Sequence, residues 1–214
     1  MSVQDYRDRR EAGVLLGEAL KRYQSQRDFL VLGLPRGGVV VADEVARRLG
    51  LPLDVILLRK LPYPPQPELA VGAVAEDGTV IVNEEFQRVA QEDPSWLEMI
   101  IREQLAVIRE RAALYRSHRQ GQNLKGKTVI LVDDGIATGA TMKVAVRSAR
   151  ASGAAKVVVA IPVAAPSSIR ELQTEADEVV CLDAPEEFLA VGQAYENFDQ
   201  VTDDEVCAIL DRNP

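Results

Sequence analysis

The chain has 214 residues, of which 47% are hydrophobic and 27% charged, a composition typical of a globular protein and not of a disordered one. The formal net charge is −8, which excludes a general electrostatic attraction to nucleic acids or anionic membranes. Aromatic residues make up only 5%, so the core must consist mainly of aliphatic side chains, which favours a layered α/β interior. We therefore expect a single domain over residues 1–214.

The N-terminal segment and the cysteines indicate the compartment. Residues 1–10 are polar and charged and lack the apolar core of a signal peptide. No apolar run approaches the roughly 18 residues that a membrane span needs. Cys181 and Cys207 lie far apart without metal-binding spacing, so we expect two inert, reduced thiols. These features predict a cytoplasmic protein with no membrane partner.

The first part of the chain alternates helical and strand patterns. Apolar residues at helical spacing predict an amphipathic helix over residues 8–24. The run FLVLG (29–33) predicts a strand, and residues 39–50 predict a helix that ends at Gly50. The near-continuous apolar run LDVILLR (53–59) is typical of a strand buried on both faces of a parallel sheet.

Residues 61–83 interrupt this alternation. Four prolines within six residues exclude a regular helix there, and an Asp-Gly turn lies between two short strand-like runs, which predicts a long loop and a hairpin. Asp93 and Pro94 then suit the cap and first position of a long helix that extends to about Arg119. The single apolar stripe of this helix is typical of packing on a sheet, and a dimer seam is the alternative.

Strands and helices continue to alternate in the second half. The runs 128–132, 156–163 and 178–182 predict strands, and residues 141–152 and about 166–175 predict helices. Strands alternating with helices predict a parallel sheet covered on both faces. The expected fold is therefore α/β, a doubly wound, mostly parallel sheet flanked by helices, in which ligands bind beyond the carboxyl ends of the strands.

The segment VILVDDGIATGATM (129–142) contains the most informative residues. Asp133 and Asp134 follow a buried strand, and a loop of small residues then leads into a helix. Small side chains let a phosphate approach the backbone closely, and amides at a helix N-terminus bind anions. Two carboxylates would repel a nearby phosphate, so the role that fits them is to accept hydrogen bonds from vicinal hydroxyls of a sugar.

This segment resembles the motif that binds 5-phosphoribosyl-1-pyrophosphate (PRPP) in type I phosphoribosyltransferases: an apolar strand, two acidic residues, two variable residues and a small-Thr-Gly-x-Thr loop. It is neither a Walker loop nor a GxGxxG turn. The resemblance implies that Asp133 and Asp134 hold the ribose 2- and 3-hydroxyls. It implies that the 5-phosphate is bound by Ala137, Thr138, Gly139, Ala140 and Thr141. It also implies the type I phosphoribosyltransferase fold, with a small hood and lid.

The turn GLPRGG (33–38) lies about 100 residues before the PRPP motif and looks like the pyrophosphate loop of the same family. The resemblance implies that Arg36 supplies charge-assisted donors to pyrophosphate and that Gly37 and Gly38 bring backbone amides close. This loop often carries a non-proline cis peptide in the family. We expect that bond between Pro35 and Arg36.

Arg59 and Lys60 precede the proline-rich segment. The resemblance implies that Lys60 contacts pyrophosphate and that a mobile loop and hairpin follow over residues 61–83, with residues 61–78 as the lid. A solvated basic pair at a strand end is the alternative interpretation. With Arg36, Asp133 and Asp134, Lys60 completes the set of expected catalytic residues.

Residues 184–200 contain a Val-Gly pair and spaced aromatic residues, and they resemble the hood segment of purine-using family members. Two interpretations stay open for Phe188, Tyr195 and Phe198: they enclose an acceptor base, or they pack as ordinary core of a C-terminal lobe. His118 has no acidic partner nearby in sequence and is expected at the surface.

The resemblance implies a Mg²⁺-dependent enzyme that transfers the phosphoribosyl group of PRPP to a nitrogen nucleophile, with a nucleobase as the expected acceptor, and releases pyrophosphate. Mg²⁺ would be held mainly by PRPP oxygens, so no all-protein metal site is expected. Ala137 stands where oxopurine-using members have aspartate, which counts against hypoxanthine or guanine. Gly135 stands where a branched apolar residue is common.

A non-catalytic regulator that senses PRPP with the same fold is the alternative function. Some family members bind RNA or DNA, but the acidic net charge and the lack of a helix-turn-helix segment count against a nucleic-acid partner here. Family members are usually dimers or larger. We therefore expect a homo-oligomer whose other partners are PRPP and a base or another small nitrogen acceptor.

Overall fold

The aliphatic runs of the sequence form strands in a computed structural model that describes residues 5–117 and 120–213. The strands of these residues are β1 (Phe29–Gly33), β2 (Leu53–Val55), β3 (Leu58–Tyr63), β4 (Gln66–Ala75), β5 (Val80–Val82), β6 (Thr128–Val132), β7 (Lys156–Val163) and β8 (Glu178–Asp183). The α-helices are α1 (Arg9–Ala19), α2 (Gly37–Leu49), α3 (Glu84–Glu92), α4 (Pro94–Tyr115), α5 (Ala140–Ala151), α6 (Pro166–Leu172) and α7 (Asp203–Asp211). Short 3₁₀ helices lie at Lys21–Tyr23 and Val191–Ala194.

The main sheet has the strand order β2-β1-β6-β7-β8, and each neighbouring pair is parallel. Successive side chains of a strand point to opposite faces, so each strand contributes to two cores. On one face Val31 and Ile130 pack with α2, and on the other Leu30 and Leu131 pack with α5. The predicted doubly wound parallel sheet with helices on both faces is confirmed.

The predicted strand over residues 53–59 is wrong as a single element. β2 ends at Val55, and β3 begins at Leu58 in a second, antiparallel sheet of order β3-β4-β5. Ile56 and Leu57 between the two strands are 7% and 3% exposed. Because the connection itself is buried, the apolar pattern does not break where the strand breaks.

The hairpin predicted within residues 61–83 is confirmed as β4 and β5, which pair antiparallel around a turn with Gly78 at φ +88°. The preceding residues are more regular than the predicted loop, since β3 continues to Tyr63 with an irregular register at Pro62. A proline has no amide hydrogen, so an irregular ladder is the expected consequence.

The long helix α4 begins as predicted, because the Asp93 carboxylate accepts a hydrogen bond from the Ser95 amide and Pro94 takes the first position. Its apolar stripe packs against β3 and β4 of the antiparallel sheet and against α7, with Ile100, Ile108 and Tyr115 buried in the core. The helix predicted over residues 8–24 consists of α1 followed by a 3₁₀ turn.

The two cysteines are free, half-buried thiols, and burial raises the pKa of Cys181 to about 11. Across residues 5–117 and 120–213, no helix is long and apolar enough to cross a membrane. His118 lies outside the described residues.

Candidate active site

The loops that follow β1 and β6 lie side by side at the carboxyl edge of the main sheet. The two strands pair in parallel with Gly33 opposite Val132, and the Leu34 amide donates to the Val132 carbonyl at 2.9 Å. A Cβ added to Gly38 would lie 2.8 Å from Cα and Oδ1 of Asp133. The predicted pyrophosphate loop therefore packs directly against the predicted ribose-binding carboxylates.

The loop between β6 and α5 forms the wall of a cavity of about 210 Å³. Gly139 adopts φ +72° immediately before the first residue of α5, which makes the turn into the helix possible. The Ser168 hydroxyl fixes this loop from α6 by donating to the Ala137 carbonyl at 2.8 Å. The cavity is lined by Lys60, Asp133, Gly135, Ile136, Ala137, Thr138, Gly139, Thr141, Met142 and Val191. The structure thus brings together most of the predicted 5-phosphate loop, one predicted carboxylate and Lys60.

Lys60 reaches this cavity from the antiparallel sheet. It lies on β3 next to Arg59, whose Nε donates to Gln104 Oε1 of α4 at 2.7 Å. Alternation along a strand sends the two basic side chains to opposite faces, so Lys60 faces the cavity while Arg59 faces α4. A larger groove of about 760 Å³, between β4, β5 and α5, adjoins the cavity and shares Lys60 and Thr138 with it. Ala140 lines this groove.

Arg36 is half-buried at the start of α2, and the peptide bond between Pro35 and Arg36 is cis, as predicted. The Arg36 side chain is not among those that line the 210 Å³ cavity. Its backbone and those of Gly37 and Gly38 form the turn that contacts the carboxylates.

Asp133 and Asp134 form a half-buried carboxylate pair. The Asp134 amide donates to Asp133 Oδ1 at 2.9 Å. Burial and the neighbouring carboxylate of Asp134 raise the pKa of Asp133 well above its usual value. Such a pair gains strongly from a group that donates hydrogen bonds, and a perturbed carboxyl in a cleft is typical of a functional site.

Arg9, which the sequence analysis did not identify, compensates this pair. Its Nε donates to Asp134 Oδ2 at 2.7 Å. Arg9 is the first residue of α1, and in the sequence it is one of several charged residues near the N-terminus. Nothing in the local pattern distinguishes it from its neighbours Arg7 and Arg10.

The hood segment contacts the backbone of Asp134 through Tyr195. The Tyr195 hydroxyl donates to the Asp134 carbonyl at 2.5 Å, and its ring stacks on Phe198 at a centroid distance of 5.0 Å. Tyr195 is 7% exposed, whereas Phe198 is 37% exposed, and Phe188 packs against the cluster that contains Tyr6. The hood residue that lines the 210 Å³ cavity is Val191. The aromatic side chains therefore make contacts within the protein, and their contact with an acceptor stays a prediction.

The sequence of residues 10–196 matches the family described as the phosphoribosyl transferase domain. The chain belongs to this family. It is 48% identical over 205 residues to a Mycobacterium tuberculosis protein named "Putative phosphoribosyl transferase", in each of two strains, an overlap that covers 96% of this chain. The chain spans only 46% of the length of those relatives.

Among solved structures, the phosphoribosyl transferase fold of this chain is similar to the crystal structure of TT1426 from Thermus thermophilus. The TM-score is 0.85 at 49% identity, with 98% of this chain and 99% of that chain covered. A protein from Aquifex aeolicus, AQ2163, shares the fold at 14% identity with a TM-score of 0.50, covering 82% of this chain and 72% of its own. Membership in the family confirms the resemblance that the PRPP motif indicated.

Proposed function

We propose that the protein transfers the 5-phosphoribosyl group of PRPP to a nitrogen nucleophile and releases pyrophosphate. The observation that carries this proposal is the convergence of three groups at one cavity: four residues of the proposed phosphate loop (Ala137, Thr138, Gly139 and Thr141), Asp133 and Lys60. An anion-binding loop, an acceptor for sugar hydroxyls and a cation for a leaving polyanion are the three requirements of PRPP as a substrate.

The 5-phosphate is assigned to the loop that leads into α5. The amides of Ala137 to Thr141 and the N-terminal end of the helix dipole attract a dianion. The exposed Thr138 and the half-buried Thr141 add hydroxyl donors at the cavity wall. Small side chains at this loop leave the backbone accessible to phosphate oxygens.

The ribose is assigned to Asp133 and Asp134, whose oxygens accept hydrogen bonds from the 2- and 3-hydroxyls. Pyrophosphate is assigned to Arg36, Gly37, Gly38 and Lys60. Since a Cβ on Gly38 would collide with Asp133, this loop and the carboxylates are close enough for one ligand to span both. Departure of pyrophosphate leaves positive charge on the ribose ring, and preorganised cations at the leaving group lower the barrier.

Mg²⁺ fits this arrangement as a second cation for the leaving group. Asp133 and Asp134 offer carboxylate oxygens, the donor type that Mg²⁺ prefers, and the metal commonly takes its remaining ligands from substrate phosphates and water. Among residues 5–117 and 120–213 there is no group of three or more His, Cys, Asp or Glu side chains arranged to hold a metal ion. Asp133 and Asp134 would hold Mg²⁺ together with oxygens of PRPP, and the ion would supply charge neutralisation at the leaving group.

The acceptor is proposed to be a nucleobase that reaches C1 of the ribose next to Val191 and the hood segment of residues 184–200. Phe188, Tyr195 and Phe198 would hold this segment and leave Phe198, the most exposed of the three, for contact with the base. Ala137 offers no carboxylate to a purine N7, so we propose acceptors other than hypoxanthine and guanine. Residues 61–78, which include β4, are proposed to close over the reaction as a lid.

Calorimetric titration of PRPP in the presence of Mg²⁺, combined with pyrophosphate release against a panel of nucleobases, tests this function. Binding with release for one base supports the proposal and names the acceptor. Binding without release for any base favours the PRPP-sensing alternative. No binding would contradict the assignment of the cavity to PRPP.

A pair of variants tests the role of Lys60. Lys60→Met is expected to weaken PRPP binding by about tenfold or more, the size of one lost charge-assisted interaction. Arg59→Met is the matched control, because Arg59 is the adjacent basic residue and faces α4. Equal affinities in the two variants would support the solvated basic pair and remove Lys60 from the site.

A further inference from the structure

Arg9 joins two separate parts of the candidate site, the Asp134 carboxylate and the hood segment. Its Nε donates to Asp134 Oδ2 at 2.7 Å, and its Nη1 donates to the Asp199 carbonyl at 2.7 Å. Its Cζ lies 3.8 Å from the centroid of the Phe198 ring, within the range of a cation–π contact. The Arg9 and Asp134 side chains are 11% and 14% exposed, so solvent screens their attraction less than that of a surface pair.

The same ion pair lies against the predicted pyrophosphate loop. A Cβ added to Gly37 would lie 2.8 Å from Arg9 Nε and would clash with Asp134 Oδ2. The glycine at this position therefore permits the contact between the loop, the guanidinium and the carboxylate. One side chain of α1 thus fixes a carboxylate that lies 125 positions away in sequence.

The positive charge of Arg9 offsets the repulsion between the carboxylates of Asp133 and Asp134. Two adjacent, half-buried carboxylates destabilise each other, and the Arg9 charge acts in the opposite direction on Asp133. Arg9 is not among the residues that line the 210 Å³ cavity, so it offsets the negative charge of the carboxylate pair without occupying the cavity.

We propose that Arg9 is a positioning residue that holds the Asp134 carboxylate in the orientation in which it accepts hydrogen bonds from the ribose of PRPP. This inference rests on the proposed function, because it assigns Arg9 an effect on a ligand that Arg9 itself does not touch. The competing role is a purely structural anchor for α1.

The adjacent residue Arg10 provides the matched control. It sits on the same helix and pairs with Glu44 at 3.3 Å and with the buried Asp43 at 3.8 Å, so it anchors α1 to α2 away from the carboxylates. Arg9→Met and Arg10→Met remove the same charge from neighbouring positions of one helix. Arg9→Lys keeps the charge and loses the planar donor geometry.

The test measures the affinity of each variant for PRPP and for inorganic pyrophosphate, both with Mg²⁺, by calorimetric titration. Arg9→Met is expected to weaken PRPP binding by about tenfold or more, as for one lost charge-assisted hydrogen bond, and to weaken pyrophosphate binding much less because pyrophosphate has no ribose. Arg9→Lys is expected to recover part of the loss. Arg10→Met is expected to keep the affinity of the unmodified protein for both ligands.

Unchanged PRPP affinity in Arg9→Met would overturn the inference, and so would an equal loss for PRPP and pyrophosphate. If Arg9→Met does not fold, Arg9→Lys carries the test, with a selective loss for PRPP expected and an equal loss contradicting it. Absence of PRPP binding by the unmodified protein would instead overturn the proposed function. The two failures are therefore distinguishable.

Discussion

A Cβ added to Gly135 would lie 2.5 Å from Cγ1 of Val191 and 3.0 Å from Cγ1 of Val163. Both distances are shorter than an ordinary van der Waals contact between carbon atoms. The missing side chain at position 135 therefore makes room for Val191 to line the cavity from the hood. A residue of the PRPP motif and a residue of the hood are complementary in size.

Gly135→Ala is expected to lower the free energy of unfolding by about 1–3 kcal/mol, the usual cost of overpacking a filled site. Urea denaturation measures this cost. In a Val191→Ala background the same substitution is expected to cost much less, because the closest of the colliding atoms is gone. An equal cost in both backgrounds would show that Val191 is not the partner.

Asp133→Asn combined with Asp134→Asn is expected to abolish PRPP binding and to leave the fold intact. Asparagine keeps the shape but replaces one acceptor oxygen of each side chain with a donor and removes the charge. Calorimetry measures the binding, and circular dichroism checks the fold. Glu186→Gln with Glu187→Gln, two exposed positions of the hood segment, is the control for the loss of two charges. Unchanged PRPP affinity in the Asp133 and Asp134 variant would contradict the ribose assignment.

Arg116→Met is expected to destabilise the protein by about 3 kcal/mol. Arg116 pairs with Glu76 at 2.8 Å and lies 3.6 Å from Asp54, which is almost fully buried, so its removal leaves a buried charge with less compensation. Arg88→Met is the control, since Arg88 is 87% exposed and its pair with Glu92 is expected to contribute less than about 0.5 kcal/mol. Equal midpoints of denaturation for the two variants would refute the role of Arg116.

Cys181 is expected to resist alkylation by iodoacetamide in the folded protein at pH 8. Only the thiolate reacts, and with burial raising the pKa of Cys181 to about 11, roughly one thiol in a thousand is ionised at that pH. Labelling followed by mass spectrometry should increase as the pH approaches 11, and in urea Cys181 should label readily at pH 8. Rapid labelling of the folded protein at pH 8 would show that the thiol is not protected.

The bounds of β1, β6 and β7 could be predicted residue by residue from the sequence. These strands are buried on both faces, so the apolar run marks the strand, which in β6 and β7 begins one residue earlier, at Thr128 and Lys156. The same rule gave the wrong result at Ile56 and Leu57, where the chain passes between two sheets without leaving the core. The sequence predicts which residues are buried. It does not predict which sheet a strand joins, because that depends on which other strands are available for pairing.

The helices α3 and α7 were missed for different reasons. In α3 the helical spacing rests on three apolar residues in a short, mostly polar run, Phe86, Val89 and Ala90, and no residue of the helix is buried. In α7 the signal was present: Val206, Ile209 and Leu210 have helical spacing, and the Thr202 hydroxyl caps the helix by accepting from the Glu205 amide.

The loops of the site could be predicted because their chemistry is local. Small residues, two acids and a helix start are contiguous around Asp133, and the Pro35–Arg36 turn is equally compact. Arg9 could not be identified in this way, because it reaches Asp134 only when α1 packs beside the carboxyl edge of the sheet. For Tyr195, the sequence left two roles open, and the hydrogen bond to the Asp134 carbonyl belongs to neither.

The parallel bridge between Tyr6 and Tyr195 joins the segment before α1 to the segment after β8, beside Asp134. A ribosome completes α1 and the PRPP motif long before it synthesises residues 195–199, which bind the Asp134 carbonyl and Arg9. The parallel sheet has the strands it needs before the last contacts of the site exist, because those contacts join the most distant parts of the chain. A nascent chain therefore acquires the finished site only after residue 199 has been synthesised, and a chain cut before residue 195 would carry the complete PRPP motif without Tyr195 and Asp199, which contact Asp134 and Arg9.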